Sequence, residues 1–178
     1  MNILYIHGYG GTGNSRTAHA LKTYLPKDYN IFEPHFSLSP TESIQLAQET
    51  IEAKAIHLVV ASSLGGFTAL QLRDIPKIVI NPCLYPSKEL PKRAEIPKDI
   101  VQNFTEFEKR TFENISEKEK IYTVGVFSDA DELFSYIDEF STHYLFVQEI
   151  NDTHRISVEN VEKVIVSIVQ KIKIRLEK

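Results

Sequence analysis

The sequence has only one cysteine, no strong excess of charge of one sign, and no long hydrophobic run. The single cysteine, Cys83, excludes an internal disulfide framework and a metal site built from cysteines. The formal net charge of -4, with acidic and basic residues interspersed, does not indicate a nucleic-acid-binding protein. No apolar run approaches membrane-spanning length, and the N-terminus lacks the basic region of a signal peptide. We therefore expect a soluble, cytoplasmic protein that binds neither nucleic acid nor membranes.

Motifs for metals and nucleotides are also missing. The 6 histidines show no ligand spacing such as His-x-x-x-His. The glycine-rich stretch at residues 7–13 does not match G-x-G-x-x-G and lacks the Gly-Lys-Ser/Thr end of a P-loop. A phosphate-binding enzyme is therefore the weakest hypothesis, and we expect no cofactor and no metal.

Length and composition indicate one globular domain over residues 1–178, because 42% hydrophobic residues suffice for a sizeable core. Short, β-branched-rich apolar runs alternate with segments of helical periodicity. This pattern is typical of an α/β fold with a doubly wound, mostly parallel sheet. The six predicted strands comprise residues 2–6, 29–33, 57–61, 77–81, 122–127 and 144–150. The predicted helices between and after them comprise residues 15–25, 40–54, 64–73, 131–140 and 157–176.

One interval, residues 84–120, breaks this alternation. It contains prolines at positions 86, 91 and 97, followed by a helix-like stretch over about residues 99–115. Long excursions of this kind often form lids or binding loops. A helix that simply covers the sheet is the alternative, and both interpretations stay open.

The stretch at residues 57–67, HLVVASSLGGF, carries the most informative motif. An apolar run ends in ASSLG, and a helical pattern starts at once. This is the small-x-Ser-x-Gly pattern of a nucleophile elbow, in which the positions two before and two after the serine must be small. Ala61 and Gly65 meet this demand for Ser63, whereas bulky residues would occupy the same positions around Ser62. We predict that Ser63 is a nucleophile; an ordinary turn between a strand and a helix is the alternative.

A base and an orienting acid follow the serine in the order Ser, Asp, His that α/β-hydrolases use. His154 follows the sixth predicted strand, so it should lie at the carboxyl edge of the sheet with the serine. His143 precedes that strand and should lie at the opposite edge. For the acid we favour Asp131, near the start of the next predicted helix, over Asp129 and Glu132. Asp129 in particular stays open as an alternative.

Serine catalysis also needs donors for the oxyanion, and we predict that main-chain N–H groups supply them. One is the amide of Leu64, the residue after the nucleophile. The other is the amide of Tyr9, in the glycine-rich loop after the first strand. His7 begins that loop, and we expect it to hold the loop by hydrogen bonds rather than to transfer protons.

Five segments of the chain share a pattern with a known family: ILYIHG at 3–8, ASSLGGF at 61–67, INP at 80–82, DEL at 131–133 and DTHR at 152–155. Together they resemble the small YqiA-type esterases, a compact branch of the α/β-hydrolase superfamily. The resemblance implies that fold with little or no cap, esterase chemistry on short-chain acyl esters, and a triad of Ser63, Asp131 and His154. The chain departs from the family in having Ala61 where glycine is commoner, and in a longer, more acidic loop around Asp131.

These observations predict a serine hydrolase, either a carboxylesterase or a thioesterase, that cleaves small acyl esters through an acyl-enzyme on Ser63. We expect Phe104 or Phe107 to border the acyl pocket, since both lie on an aromatic stripe in the 84–120 interval. A non-catalytic binding or interaction protein on the same scaffold is the alternative. The expected ligand is a small-molecule ester, and the sequence carries no signal for an oligomeric state.

Overall fold

The computed structural model describes residues 1–177. They contain one sheet of six strands in the order β2-β1-β3-β4-β5-β6, and every neighbouring pair is parallel. Each strand overlaps its predicted range, which confirms the doubly wound parallel sheet. The strands are β1 (Asn2–Ile6), β2 (Asn30–Phe32), β3 (Leu58–Ser62), β4 (Lys77–Ile80), β5 (Thr123–Ser128) and β6 (Phe146–Ile150).

Helices cover both faces of the sheet. They are α1 (Arg16–Tyr24), α2 (Pro40–Ala53), α3 (Leu64–Gln71), α4 (Pro86–Glu89), α5 (Lys98–Arg110), α6 (Glu117–Tyr122), α7 (Ile137–His143), α8 (Val158–Asn160) and α9 (Val166–Leu176). A 3₁₀ turn, Leu90–Lys92, follows α4, and a π-helical turn, Val161–Ile165, joins α8 to α9. No helix within residues 1–177 is long and apolar enough to cross a bilayer.

Successive residues of the central strands enter two different hydrophobic cores. Ile3 and Tyr5 of β1 pack in one core with α1 and α9, whereas Leu4 and Ile6 pack in the other with α2 and α3. All four side chains are buried. Burial on both faces explains why the strands appear in the sequence as continuous apolar runs rather than as alternating ones.

Serine side chains cap α1 and α2, which begin within one residue of their predicted starts. The Ser15 hydroxyl accepts from the amide of Ala18 at the start of α1, at 3.0 Å. Ser39 caps α2, and Pro40 occupies the first turn of that helix, where its missing N–H costs nothing. Such caps satisfy amides that have no partner inside the helix.

The predicted helix over residues 131–140 is wrong in its first half, because α7 begins only at Ile137. Asp131 therefore does not lie near a helix start. Its Oδ1 instead accepts from the amides of Leu133, at 2.8 Å, and Phe134, at 3.1 Å. These two bonds close a local turn, which competes with helix formation.

The interval at residues 84–120 folds into α4, the 3₁₀ turn, α5 and α6. The predicted helix over residues 99–115 ends at Arg110, and α6 is an additional helix. Phe104 of α5 is buried, with its ring edge-on to Phe67 of α3 at a centroid distance of 5.7 Å. The second half of the interval thus packs on the helices of the domain, while the segment around Leu90 borders the cavity described below.

The strand order changes direction at β1, which lies between β2 and β3. Ligands of such sheets bind beyond the carboxyl ends of the strands at this switch point. The loops that follow β1 and β3 meet there. The start of α3, directly after β3, approaches the end of β1 so closely that a Cβ added at Gly65 would lie 2.2 Å from the Ile6 carbonyl oxygen.

Candidate active site

Ser63 occupies the sharp turn between β3 and α3. Its backbone has φ 51° and ψ -119°, a region that L-residues rarely adopt outside strained turns. The turn brings α3 against the end of β1, so only glycine fits at position 65. Gly8 faces the serine, because a Cβ there would lie 3.1 Å from the Ser63 Cβ. These features are the geometry of a nucleophile elbow.

The two adjacent serines have different partners. The Ser62 hydroxyl is hydrogen-bonded to the Tyr5 phenol at 2.6 Å. The Ser63 Oγ instead lies 3.0 Å from His154 Nε2. Among these two hydroxyls, only that of Ser63 contacts a base that could take its proton.

His154 joins the serine to a carboxylate. Its Nδ1 lies 2.8 Å from Asp131 Oδ2, and the two side chains are 9% and 2% exposed. Because an ionised carboxylate only accepts hydrogen bonds, Nδ1 carries the proton in the neutral ring and Nε2 accepts from Ser63. The structure therefore brings the three predicted residues into one hydrogen-bonded chain.

The surroundings of Asp131 favour its charged form. Burial by itself disfavours the carboxylate, but hydrogen bonds from His154 and from the amides of Leu133 and Phe134 outweigh it. The pKa of Asp131 consequently lies below its ordinary value. An ionised Asp131 can orient the imidazole and stabilise an imidazolium.

The other acids considered for the triad do not contact the imidazole. They contact the loop at residues 151–155, which contains His154 and is called the histidine loop below. Asp129 accepts from the amide of Asp152 at 3.1 Å and from the side chain of Asn151 at 3.2 Å. Glu132 accepts from the main-chain N–H of His154 at 3.0 Å. Both acids thus fix the backbone of the loop rather than the ring. His143 lies at the end of α7, where it stacks on Phe112 at a centroid distance of 3.9 Å.

Asn81, just after β4, is a site residue whose role the sequence did not indicate. It is 2% exposed and has a φ of 43°. Its Nδ2 donates to the Ser128 Oγ at 2.9 Å and to the His154 carbonyl oxygen at 3.0 Å. Its Oδ1 accepts from the Ser128 amide at 2.7 Å. The side chain therefore links the end of β5 to the backbone of His154.

The glycine-rich loop forms a tight turn beside the serine. The Gly11 amide donates to the Gly8 carbonyl oxygen at 3.1 Å, and Gly10 has a φ of 74°. His7 Nε2 accepts from the Phe36 amide at 3.1 Å, so its Nδ1 carries a proton and donates to the Gly8 oxygen at 2.9 Å. His7 thus braces the loop by hydrogen bonds.

The amides of Tyr9 and Leu64 remain available for a ligand. Neither donates a hydrogen bond to an acceptor within residues 1–177. Leu64 is the first residue of α3, and the first N–H groups of a helix stabilise negative charge. Both residues line the cavity that contains Ser63. Their function as oxyanion donors stays a prediction.

A cavity of about 550 Å³ opens over Ser63 and His154. Its apolar lining includes Ile80, Cys83 and Leu90. Its charged lining comprises Arg16, Glu89, Arg93 and Arg155. Burial raises the pKa of the Cys83 thiol, as suits an inert side chain rather than a nucleophile. No three His, Cys, Asp or Glu side chains within the described residues are grouped to hold a metal ion.

A second cavity of about 170 Å³ lies across the glycine-rich loop. Phe104 lines it, together with Leu64, but Ser63 does not. Phe107 lines neither cavity. The predicted contact with an acyl group therefore stays a prediction for Phe104 and finds no support for Phe107.

Solved structures with the same fold cover almost the whole chain. Est1E from Butyrivibrio proteoclasticus is 16% identical, with a TM-score of 0.67 over 96% of this chain and 87% of that one. The esterase domain of a Rhodothermus marinus protein is 13% identical, with a TM-score of 0.71 over 96% and 85%. MGS-MChE2, an α/β hydrolase from a lagoon-sediment metagenome of Mar Chica, Morocco, is 14% identical, with a TM-score of 0.69 over 98% and 91%. At these identities the similarity shows the fold, which is that of the α/β-hydrolases.

The sequence also matches a family model. The model of an uncharacterised protein family, UPF0227, matches residues 2–172, which is nearly the whole chain. The chain therefore belongs to UPF0227, the YqiA-type esterase family that its motifs resemble.

Proposed function

We propose that the protein is a serine hydrolase, a carboxylesterase or thioesterase, that cleaves small acyl esters through an acyl-enzyme on Ser63. The observation that carries the proposal is the chain of hydrogen bonds from Ser63 Oγ through His154 to Asp131, with distances of 3.0 and 2.8 Å. Nucleophile, base and orienting acid are thereby in contact at the edge of a cavity large enough for a small substrate. The similarity of the fold to the esterase domain of a Rhodothermus marinus protein supports the same reaction class.

In the proposed first step, Ser63 Oγ attacks the carbonyl carbon of the ester while His154 Nε2 takes the hydroxyl proton. The oxyanion of the tetrahedral intermediate accepts from the amides of Tyr9 and Leu64. His154 then gives its proton to the leaving oxygen or sulfur, and the acyl group stays on Ser63. Water, deprotonated by the same imidazole, releases the acid and restores the serine. Asp131 stabilises the imidazolium in both halves of the cycle.

The test uses p-nitrophenyl butyrate hydrolysis together with labelling by a fluorophosphonate. We expect Ser63→Ala to lower kcat by about 10⁶-fold and to abolish labelling, since members of a triad act as a unit. Ser62→Ala is the matched control. It removes a hydroxyl one residue away that contacts Tyr5, and it should keep the activity within about ten-fold. A wild-type protein that neither hydrolyses the ester nor reacts with the probe would identify a non-catalytic scaffold.

A further inference from the structure

The cavity over Ser63 carries more positive than negative charge in its lining. Three arginines contribute to it, Arg16, Arg93 and Arg155, against one carboxylate, Glu89. Arg93 donates to Glu89 at 3.1 Å, so these two charges largely compensate each other. Lys92 also pairs with Glu89, at 2.8 Å. Two positive charges, those of Arg16 and Arg155, are therefore left without a balancing carboxylate in the lining.

Neither Arg16 nor Arg155 forms an ion pair with a carboxylate among residues 1–177. The Arg16 guanidinium is nonetheless held in place. One of its terminal nitrogens donates to the carbonyl oxygens of Arg155, at 3.2 Å, and Ile156, at 3.0 Å. Its remaining N–H groups have no acceptor within the described residues. A guanidinium fixed in this way can receive a carboxylate or a phosphate without first ordering its own side chain.

The position of the two arginines determines which part of the ester, the leaving group or the acyl group, would carry an anion that pairs with them. Arg155 directly follows His154, and Arg16 is hydrogen-bonded to the same loop. In the proposed mechanism His154 protonates the leaving oxygen, so the alcohol portion of the ester must lie against this loop. Any anion that meets the two guanidinium groups therefore belongs to the leaving group and not to the acyl group.

We infer that the protein prefers esters whose leaving group carries an anionic substituent, a carboxylate or a phosphate, that pairs with Arg16 and Arg155. This inference rests on the proposed function, because it describes the substrate of the same site. The reaction is otherwise unchanged. The bond from the acyl carbon to the leaving oxygen breaks, His154 supplies the proton to that oxygen, and the anionic alcohol departs. Concave sites lined by charge of one sign attract a counter-charge more strongly than a flat surface does.

The experiment compares two esters of nearly equal size, 4-acetoxybenzoate and its neutral methyl ester. The quantity measured is the ratio of their kcat/KM values in each variant, relative to the ratio in the wild type. Differences in intrinsic reactivity cancel in this comparison. We expect the relative preference for the anion to fall about three-fold in Arg155→Gln and about five-fold in Arg16→Gln, because both positions are exposed. Arg16→Lys keeps the charge and should keep most of the preference. Lys171→Gln, on the exposed side of α9, removes the same net charge away from the cavity and should leave the ratio unchanged.

Two further substrates sharpen the test. Replacing the carboxylate by phosphate, in 4-acetoxyphenyl phosphate, shows which anion the arginines favour. Moving the carboxylate to the acyl portion, in monophenyl glutarate, should give a ratio of kcat/KM to that of neutral phenyl butyrate that does not respond to either arginine variant. A response confined to the acyl-side anion would overturn the assignment.

The result that overturns the inference is an unchanged anion ratio in both glutamine variants while the neutral ester is still hydrolysed. If Arg16→Gln slows both esters equally, Arg16 only braces the histidine loop. The inference then fails if Arg155→Gln also leaves the anion ratio at its wild-type value. Arg155→Gln decides the matter if Arg16→Gln does not fold. Failure of the proposed function is a different result, since neither ester would be hydrolysed and no fluorophosphonate would bind.

Discussion

Removing the side chain of Asn81 should impair catalysis by a route that leaves the side chains of the proposed triad untouched. Asn81 contacts neither the Ser63 Oγ nor the imidazole, yet its amide holds the carbonyl oxygen of His154 at 3.0 Å. We expect that Asn81→Gly releases this loop and lets the imidazole move away from Ser63. A displacement of about 1 Å in catalytic geometry costs about 10²-fold in rate, and we predict a fall in kcat of that size.

The stability cost follows from the same contacts. Without the side chain, the buried amide and hydroxyl of Ser128 lose their partner in Asn81, as does the carbonyl oxygen of His154. A buried polar group left without its partner costs about 1–3 kcal/mol, so we expect the free energy of unfolding to fall by about 2–4 kcal/mol. Glycine tolerates the φ of 43° at this position, so the substitution adds no backbone strain.

The assay measures kcat and KM for p-nitrophenyl butyrate at a temperature where urea titration shows the variant to be folded. A residue that positions the base should lower kcat and leave KM nearly unchanged, whereas partial unfolding would only lower the concentration of active protein. Active-site titration with a fluorophosphonate separates these cases. Asn114→Gly is the matched control, because Asn114 is exposed with a φ of 55°. If folded, fully titratable Asn81→Gly keeps the wild-type kcat, our reasoning about Asn81 is wrong.

Three further predictions concern the triad acid, the elbow and a buried lysine. Asp131→Asn should lower kcat by about 10⁴-fold, because an amide NH₂ can donate to the imidazole and favour the wrong tautomer, which the carboxylate excludes. Asp129→Asn should lower kcat by less than about ten-fold. Steady-state kinetics in which Asp129→Asn had the larger effect would refute the choice of acid. Gly65→Ala should destabilise the fold by about 3 kcal/mol or more, since its Cβ would meet the Ile6 carbonyl oxygen at 2.2 Å, and an unchanged urea midpoint would contradict the elbow geometry. Burial lowers the pKa of Lys77 to about 8, below its value in the unfolded chain. The unfolded chain therefore binds more protons just above that pH, and the free energy of unfolding should rise by about 2 kcal/mol between about pH 8 and about pH 9.5 relative to Lys77→Met. The prediction is contradicted if urea titrations at both pH values show the same change in the free energy of unfolding for the wild type and for Lys77→Met.

The sheet could be predicted from the sequence because its strands are buried on both faces. Each of the central strands is a nearly continuous apolar run, and the two cores that receive alternate side chains leave little choice of register. The elbow could be predicted for a similar reason. The close approach of α3 to β1 demands glycine at position 65, and that steric demand is visible in the spacing of small residues around Ser63.

The loop around Asp131 could not be predicted so well. Its residues suit the start of a helix, but the Asp131 carboxylate closes a turn on the amides of Leu133 and Phe134, and α7 starts only at Ile137. By contrast, a signal for the missed helix α6 was present. Ser116 and Glu119 form a capping box, a pattern that marks a helix start in the sequence.

The contacts of Asn81 and Arg16 join residues that are far apart in the sequence, so local sequence patterns do not predict them. Asn81 reaches residues 72 and 73 positions further along the chain, and the Arg16 contacts span 139 and 140 positions. An asparagine after a strand and an arginine at the start of a helix are common in any α/β protein. Only the folded arrangement shows that both support the loop of His154.

The proposed reaction requires that the hydroxyl of Ser63 is an activated nucleophile. The most direct measurement is to treat the intact protein with diisopropyl fluorophosphate and locate the adduct by peptide mass spectrometry. We predict one phosphoryl group per chain, attached to Ser63, with no reaction in His154→Ala. An unmodified chain, or an adduct on Ser62 instead, would contradict the claim.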